Sequence, residues 1–233
     1  MRLLVTRPEP DATRTAQALR AQGHEVLAAP LLSMQAIEAA FTGPYAAVLM
    51  TSANAARALS AHPRAQEFLR LPTFAVGTRS ADAAGGAGFT DVVSADGALA
   101  DLASLVASRF AGKPQRLLYL AGEDRAGDLA GELAARGVAV DTVVIYRAVA
   151  AERIPADLTR ALSNAQLDGA LHYSRRSVTT LIELSRAAGV LNALLNLAHY
   201  CLSGDVAAPL RAAGAGRISI ASRPEEVALL GLL

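Results

Sequence analysis

The first strand and helix of this chain occur twice, far apart. Residues 2–26 (RLLVTRPEPDATRTAQALRAQGHEV) align without a gap on residues 116–140 (RLLYLAGEDRAGDLAGELAARGVAV), and ten of the 25 positions are identical. Three of those ten are Ala in an Ala-rich chain and carry little weight. The other seven include Arg2/Arg116, Leu4/Leu118, Glu9/Glu123, Leu19/Leu133 and Gly23/Gly137. An offset of 114 residues is too long for a solenoid unit and points to two similar domains.

A weaker echo supports the same conclusion. Residues 76–88 (VGTRSADAAGGAG) align with residues 202–214 (LSGDVAAPLRAAG). Each is preceded by a strand-like run ending in hydroxyls, LMTSAN at 49–54 and LHYSRR at 171–176. The chain therefore reads A, B, A′, B′. If A′ pairs with B, then A must pair with B′, and one domain is inserted into the other. The expected domains are 1–36 with 148–233, and 37–147. The apolar crossings at 31–37 and 145–150 are expected to pair as a two-stranded antiparallel ribbon. A simple split near residue 115 is the alternative. Two such lobes can close on a small ligand in the cleft between them.

Short β-rich runs alternate with Ala-rich helical runs along the whole chain. Strands are expected at 3–6, 25–29, 47–51, 73–77, 91–93, 117–121, 140–144, 170–174, 200–203 and 217–220. Helices are expected near 12–21, 53–60, 80–84, 98–110, 126–136, 178–188, 206–213 and 225–230. Nearly continuous apolar strands separated by helices imply parallel sheets covered on both faces. The fold class is α/β, with two similar parallel-sheet domains of flavodoxin-like kind. Gly23, Gly88, Gly137 and Gly214 each follow a helix, where a C′ glycine takes positive φ. Gly85–Gly88 (GGAG) trails a helix and reads as a turn.

The net charge is +1, so no global field recruits nucleic acid or an anionic membrane. The N-terminus MRLLVTRPEPD has too short an apolar run for a signal peptide, and no stretch is long enough to span a bilayer. A cytoplasmic protein is the expectation. A single cysteine, Cys201, allows no internal disulfide and reads as a small core residue. His24, His62, His172 and His199 lack metal-ligand spacing and read as surface or structural residues; His172, near a strand end, is the least ordinary.

In parallel sheets ligands bind beyond the carboxyl ends of the strands. Six such segments stand out: Thr6-Arg7-Pro8, Thr51 to Asn54, Gly77 to Ser80, Gly122 to Arg125, Ser174 to Ser177 and Ser203 to Asp205. All are rich in hydroxyls, Gly or Arg, and several precede a helix, whose exposed N–H groups attract anions. A ligand with several carboxylates or phosphates is expected, although Ser, Thr and Asn also sit there as N-caps. The GxGxxG and Walker fingerprints are absent, as is a GxSxG elbow. Tyr146 follows the apolar run Val143-Val144-Ile145 on a crossing strand. Its phenol can donate a proton to a leaving group there, the alternative being packing between lobes.

Taken in order, these segments resemble the uroporphyrinogen-III synthase family over essentially the whole chain. The resemblance rests on LLVTRP (3–8) with Thr15, APLL (29–32), LMTSANA (49–55), AVGTRSA (75–81), YLAGEDR (119–125), VIYRA (144–148), HYSRRSV (172–178) and CLSGDVA (201–207). It implies two α/β lobes joined by a ribbon, and cyclisation of hydroxymethylbilane with inversion of its last pyrrole ring and loss of water. It implies no metal and no organic cofactor. It also implies a monomer in transient contact with the preceding pathway enzyme. The family's tyrosine falls on Tyr146, its strand-end serines on Ser52 and Ser174, and its Thr/Ser position after VG on Ser80. The matching position of the other lobe is Val206, which leaves Ser203 as the contact there. Arg7, Asn54, Gly77, Gly122, Arg125 and Arg175 complete the expected substrate-binding set. The loop GEDRAGD around Arg125 departs from the family's commoner pattern. A two-lobed binding or sensor protein for an anionic metabolite is the alternative function.

Overall fold

The computed structural model describes residues 1–125 and 127–233. The chain divides into two compact units, Met1–Ser33 with Val149–Leu233, and Met34–Ala148. The first unit opens with β1 (Arg2–Val5), α1 (Asp11–Ala21) and β2 (Glu25–Ala28), and β3 (Leu32–Ala36) carries the chain across. The inserted unit contains β4 (Val48–Met50), α2 (Ala53–Ser60), β5 (Thr73–Ala75), α3 (Thr78–Gly86), β6 (Val92–Ser94), α4 (Leu99–Phe110), β7 (Arg116–Gly122), α5 (Leu129–Ala134) and most of β8 (Ala139–Ala150). The first unit then resumes with α6 (Ala156–Ser163), β9 (Gly169–His172), α7 (Arg175–Ala187), α8 (Leu191–Leu195), β10 (Ala198–Cys201), α9 (Gly204–Ala213), β11 (Ile218–Ile220) and α10 (Glu226–Leu230).

The first unit's sheet has the order β2-β1-β9-β10-β11, and the inserted unit's sheet has β3-β8-β7-β4-β5-β6. Apart from the added edge strand β3, the two orders are equivalent. The sequence repeat survives as strand register: Arg2 pairs with Glu25 and Leu3 with Val26, while Arg116 pairs with Ala139 and Leu117 with Val140. Both intervals are the same length because the repeated segments contain no gap.

Alternation within each central strand explains why both sheet faces are buried. Leu118 and Leu120 join one core of the inserted unit, and Leu117, Tyr119 and Ala121 the other. In the first unit Leu4 faces one core while Leu3 and Val5 face the second. Each fully buried Leu contributes about 2 kcal/mol of hydrophobic stabilisation. Cys201 is fully buried among the first of these cores, as its apolar surroundings predict.

The expected crossings do pair. The Ile37 N–H donates to the Ile145 carbonyl at 2.8 Å and the Ala151 N–H to the Leu31 carbonyl at 2.9 Å, so β3 and β8 run antiparallel. The ribbon is no separate element, because β8 also pairs in parallel with β7 from Ala139 to Tyr146. Gly23, Gly88, Gly137 and Gly214 all take positive φ, at 82°, 99°, 73° and 94°.

Three local expectations need correction. Helix α3 runs through Gly85 and Gly86, where the sequence suggests a turn; the helix stops only at Ala87, before the left-handed Gly88. Helices α6 and α8 are additions to the expected set, the first a short mixed segment after Pro155 and the second a short apolar run without clear period. The helix expected at 126–136 is shorter, capped by Asp128, and Ala126 lies outside the described residues. Among the described residues no helix is long and apolar enough to cross a membrane.

Candidate functional site

A parallel sheet opens a crevice where successive strands depart in opposite directions. In the inserted unit β4, β5 and β6 spread one way and β7 and β8 the other, so that point lies between β4 and β7. A pocket of about 240 Å³ occupies it, lined by Thr51 and Ser52 beyond β4, by Tyr119 and Gly122 of β7, and by Tyr146 of β8, with the exposed Asp124 and Arg125 beside them.

Tyr146 reaches this pocket through an irregularity in the β7–β8 ladder. Ala121 pairs with Val144, but the next residue, Gly122, pairs with Tyr146, leaving Ile145 as an extra residue. Such a bulge re-aims side chains. Ile145 and Tyr146, although consecutive, both pack against the same apolar cluster. The ring of Tyr146 lies directly over Gly122, where an added Cβ would meet ring Cζ at 2.7 Å and the phenol oxygen at 2.8 Å.

The Ser52 side chain lines the same pocket as the phenol. Burial raises the phenol pKa above its ordinary value; Ser52 works against this, and nearby Tyr119 and Asp124 add to the rise. Tyr146 is therefore a protonated acid at neutral pH. Beside it, the Thr51 hydroxyl lies 2.8 Å from the Tyr119 hydroxyl. Ser52 also caps α2, accepting from the Asn54 N–H at 3.1 Å. The pocket thus holds two phenols and two aliphatic hydroxyls.

Of the expected residues, Tyr146, Ser52, Gly122 and Arg125 come together here. Asn54 is nearby in α2, where its side-chain oxygen accepts from Arg57 at 2.9 Å. Gly77 and Ser80 sit one strand further along, at the start of α3. Gly77 is extended and nothing lies within 4 Å of a Cβ placed on it, whereas Ser80 is buried.

The remaining four belong to the first unit, whose equivalent crevice lies between β1 and β9. Arg7, only 8% exposed, is engaged internally: Nη1 donates to Thr15 Oγ1 and to Glu226 Oε1, both at 2.8 Å. Its guanidinium stacks over Tyr173 at 4.0 Å. Burial pulls its pKa down, opposed chiefly by the charge of Glu226. Ser174 and Ser203 are N-caps of α7 and α9, accepting from the Ser177 and Val206 N–H groups at 3.1 and 3.3 Å. Arg175 forms an exposed ion pair with Asp205 at 2.8 Å.

Sequence reading placed Thr51 in a strand-end segment but left it out of the binding set, and it missed Tyr119 as a pocket residue and Glu226 and Tyr173 as partners of Arg7. A signal existed for two of them, because Thr51 and Tyr173 occupy the same place in LMTSAN and LHYSRR. Glu226 had none, since its partner is 219 residues away. Reading the histidines singly also missed that His172 and His199 meet, with Nε2 and Nδ1 3.0 Å apart in the core.

No curated protein sequence matches the chain. Among solved structures, uroporphyrinogen-III synthetase from Helicobacter pylori is similar over 100% of this chain and 98% of its own, with 17% identity and a TM-score of 0.67. A mutant uroporphyrinogen III synthase from Thermus thermophilus is similar over 100% and 97%, with 18% identity and a TM-score of 0.53. At these identities the likeness establishes the fold. The family described as uroporphyrinogen-III synthase HemD matches residues 13–231, nearly the full length. The chain belongs to the uroporphyrinogen-III synthase family.

Proposed function

We propose that this protein cyclises hydroxymethylbilane to uroporphyrinogen III, a lyase reaction that inverts the last pyrrole ring and releases water. The observation that carries the reading is the phenol of Tyr146, held on a strand at the open crevice of the inserted unit. A pocket of about 240 Å³ suits the reacting end of the linear tetrapyrrole rather than its whole length.

In this reading Tyr146 gives its proton to the terminal hydroxymethyl oxygen as the C–O bond breaks, so that hydroxide leaves as water. The pyrrole nitrogen lone pair stabilises the resulting azafulvene. The substituted carbon of the last ring then attacks the new electrophile and forms a spiro intermediate. That intermediate fragments and recloses through the other position of the same ring, which is thereby flipped. Rearomatisation releases one proton, which restores the phenol. The enzyme's share is mostly positional, since the flexible chain must be held so that inverting closure outruns direct closure. Thr51, with the N-terminus of α2, offers donors to the substrate's carboxylates.

The test is incubation of the purified protein with hydroxymethylbilane, followed by separation of the product isomers. Uroporphyrinogen III is expected in excess over the symmetric isomer formed without catalyst. Only the symmetric isomer, with folded protein present, refutes the proposal. Saturable binding without turnover would instead favour a binding protein for an anionic metabolite.

A further inference from the structure

We propose that Gly122 is a positioning residue for Tyr146 rather than a contact for substrate: its bare backbone and the adjacent bulge form the seat that turns the phenol into the pocket. The inference rests on the reading of Tyr146 as the proton donor.

The geometry requires a residue without a side chain. A Cβ at position 122 would meet the Tyr146 ring at Cζ, Oη and Cε2, at 2.7, 2.8 and 2.9 Å. All three are inside any tolerable contact, and all belong to the outer end of the ring. Nothing about the backbone demands glycine, because Gly122 is absent from the residues with positive φ. The requirement comes from the tyrosine alone.

The bulge supplies the direction. In a regular ladder Ile145 and Tyr146 would point to opposite faces. With Ile145 as the extra residue, Gly122 pairs with Tyr146, and the Tyr146 carbonyl accepts from the Glu123 N–H at 3.0 Å. The outer end of the ring then lies over Gly122 at the end of β7, in the pocket that Ser52 also lines. Ser52 Oγ already accepts the Asn54 N–H as a cap. Its own proton is best directed to the phenol oxygen, which leaves the phenol proton aimed at the ligand.

Because the clashing atoms end a side chain, Gly122→Ala moves the ring instead of unfolding the strand. The test uses the full chain with hydroxymethylbilane, measuring kcat, KM and thermal midpoints. In Gly122→Ala, kcat is expected to fall roughly as far as in Tyr146→Phe, up to about 10²-fold, while KM stays within about twofold. In the Tyr146→Phe background the glycine substitution is expected to lower kcat by no more than about a further twofold, since the two act as a unit. Its thermal destabilisation is expected to vanish in the Tyr146→Ala background, where no ring remains to displace.

An unchanged kcat in Gly122→Ala overturns the proposal. So does a full-sized additional loss in Tyr146→Phe, or a destabilisation that persists in Tyr146→Ala. A wild-type rate for Tyr146→Phe alone refutes the proton-donor role, and the thermal comparison still decides whether Gly122 seats the ring.

Discussion

Arg7 Nη1 lies 2.8 Å from Glu226 Oε1, joining the loop after the first strand to the last helix of the chain. The same carboxylate oxygen accepts from Thr15 Oγ1 at 2.6 Å and from Tyr173 OH at 2.9 Å. One carboxylate therefore ties α1, the end of β9 and α10 together. Burial tends to raise the Glu226 pKa, but the Thr15 bond, the Arg7 charge and the Tyr173 bond outweigh it and hold it below the ordinary value.

Glu226→Ala leaves a buried guanidinium without its main counter-charge. The expected cost is about 3 kcal/mol, the low end for breaking a buried pair because Glu226 is 30% exposed and Asp11 still lies 3.4 Å from the guanidinium. Glu226→Gln is expected to cost less, since the amide oxygen still accepts from Thr15 and Tyr173. Urea denaturation at neutral pH measures both, and equal midpoints for wild type and Glu226→Ala would contradict the account.

Burial lowers the pKa of His172 to about 3, helped by the neighbouring His199, whose own pKa burial lowers to about 4. The unfolded chain takes up these protons near pH 6.5, whereas the folded chain resists them. Below that pH the unfolded state binds more protons, so stability falls with acidification until the folded pKa values are reached. The slope approaches about 1.4 kcal/mol per pH unit for each histidine. Denaturation midpoints between pH 7 and 4 are expected to drop less steeply in His172→Asn/His199→Asn than in wild type. Parallel curves would show that the pair does not drive the acid sensitivity.

Ser52 and Ser174 are both N-caps, yet of the two only Ser52 lines the pocket that holds Tyr146. Each Ser→Ala change is expected to lower stability by about 1 kcal/mol. Only Ser52→Ala is expected to reduce kcat as well. Comparing kcat for the two variants at matched temperature below both midpoints separates capping from proton handling.

Tyr146→Phe removes the phenol and keeps the ring on its seat. Turnover is expected to fall by about 10²-fold at most, because water can partly replace a lost acid. The loss is expected in kcat rather than KM, measured as initial rates of formation of the inverted isomer. A rate equal to wild type would remove Tyr146 from the mechanism without touching the family assignment.

The strands and most helices were legible because their signals are local. Apolar runs such as Leu117 to Ala121, the serines before α2, α7 and α9, and the glycines at positive φ each act within a few residues. Helix α8 was not legible, because a five-residue helix in an apolar run has no readable period. The candidate site divides the same way. Position at a strand end singled out Ser52 and Gly122, and the preceding apolar run singled out Tyr146, but neither signal told that these three share one pocket while Arg7 meets Glu226 and Ser174 and Ser203 cap helices of the other unit.

The sequence by itself determined the duplicated architecture, the register shared by the two β-α-β units and the family, because all of these are written in linear order and periodicity. Only the tertiary structure decided that Ile145 is the extra residue that turns Tyr146 over Gly122, that Arg7 faces Glu226, and that two histidines share a core. These are choices of partner between segments distant in the chain. They depend on cross-strand register and packing, which no local pattern encodes.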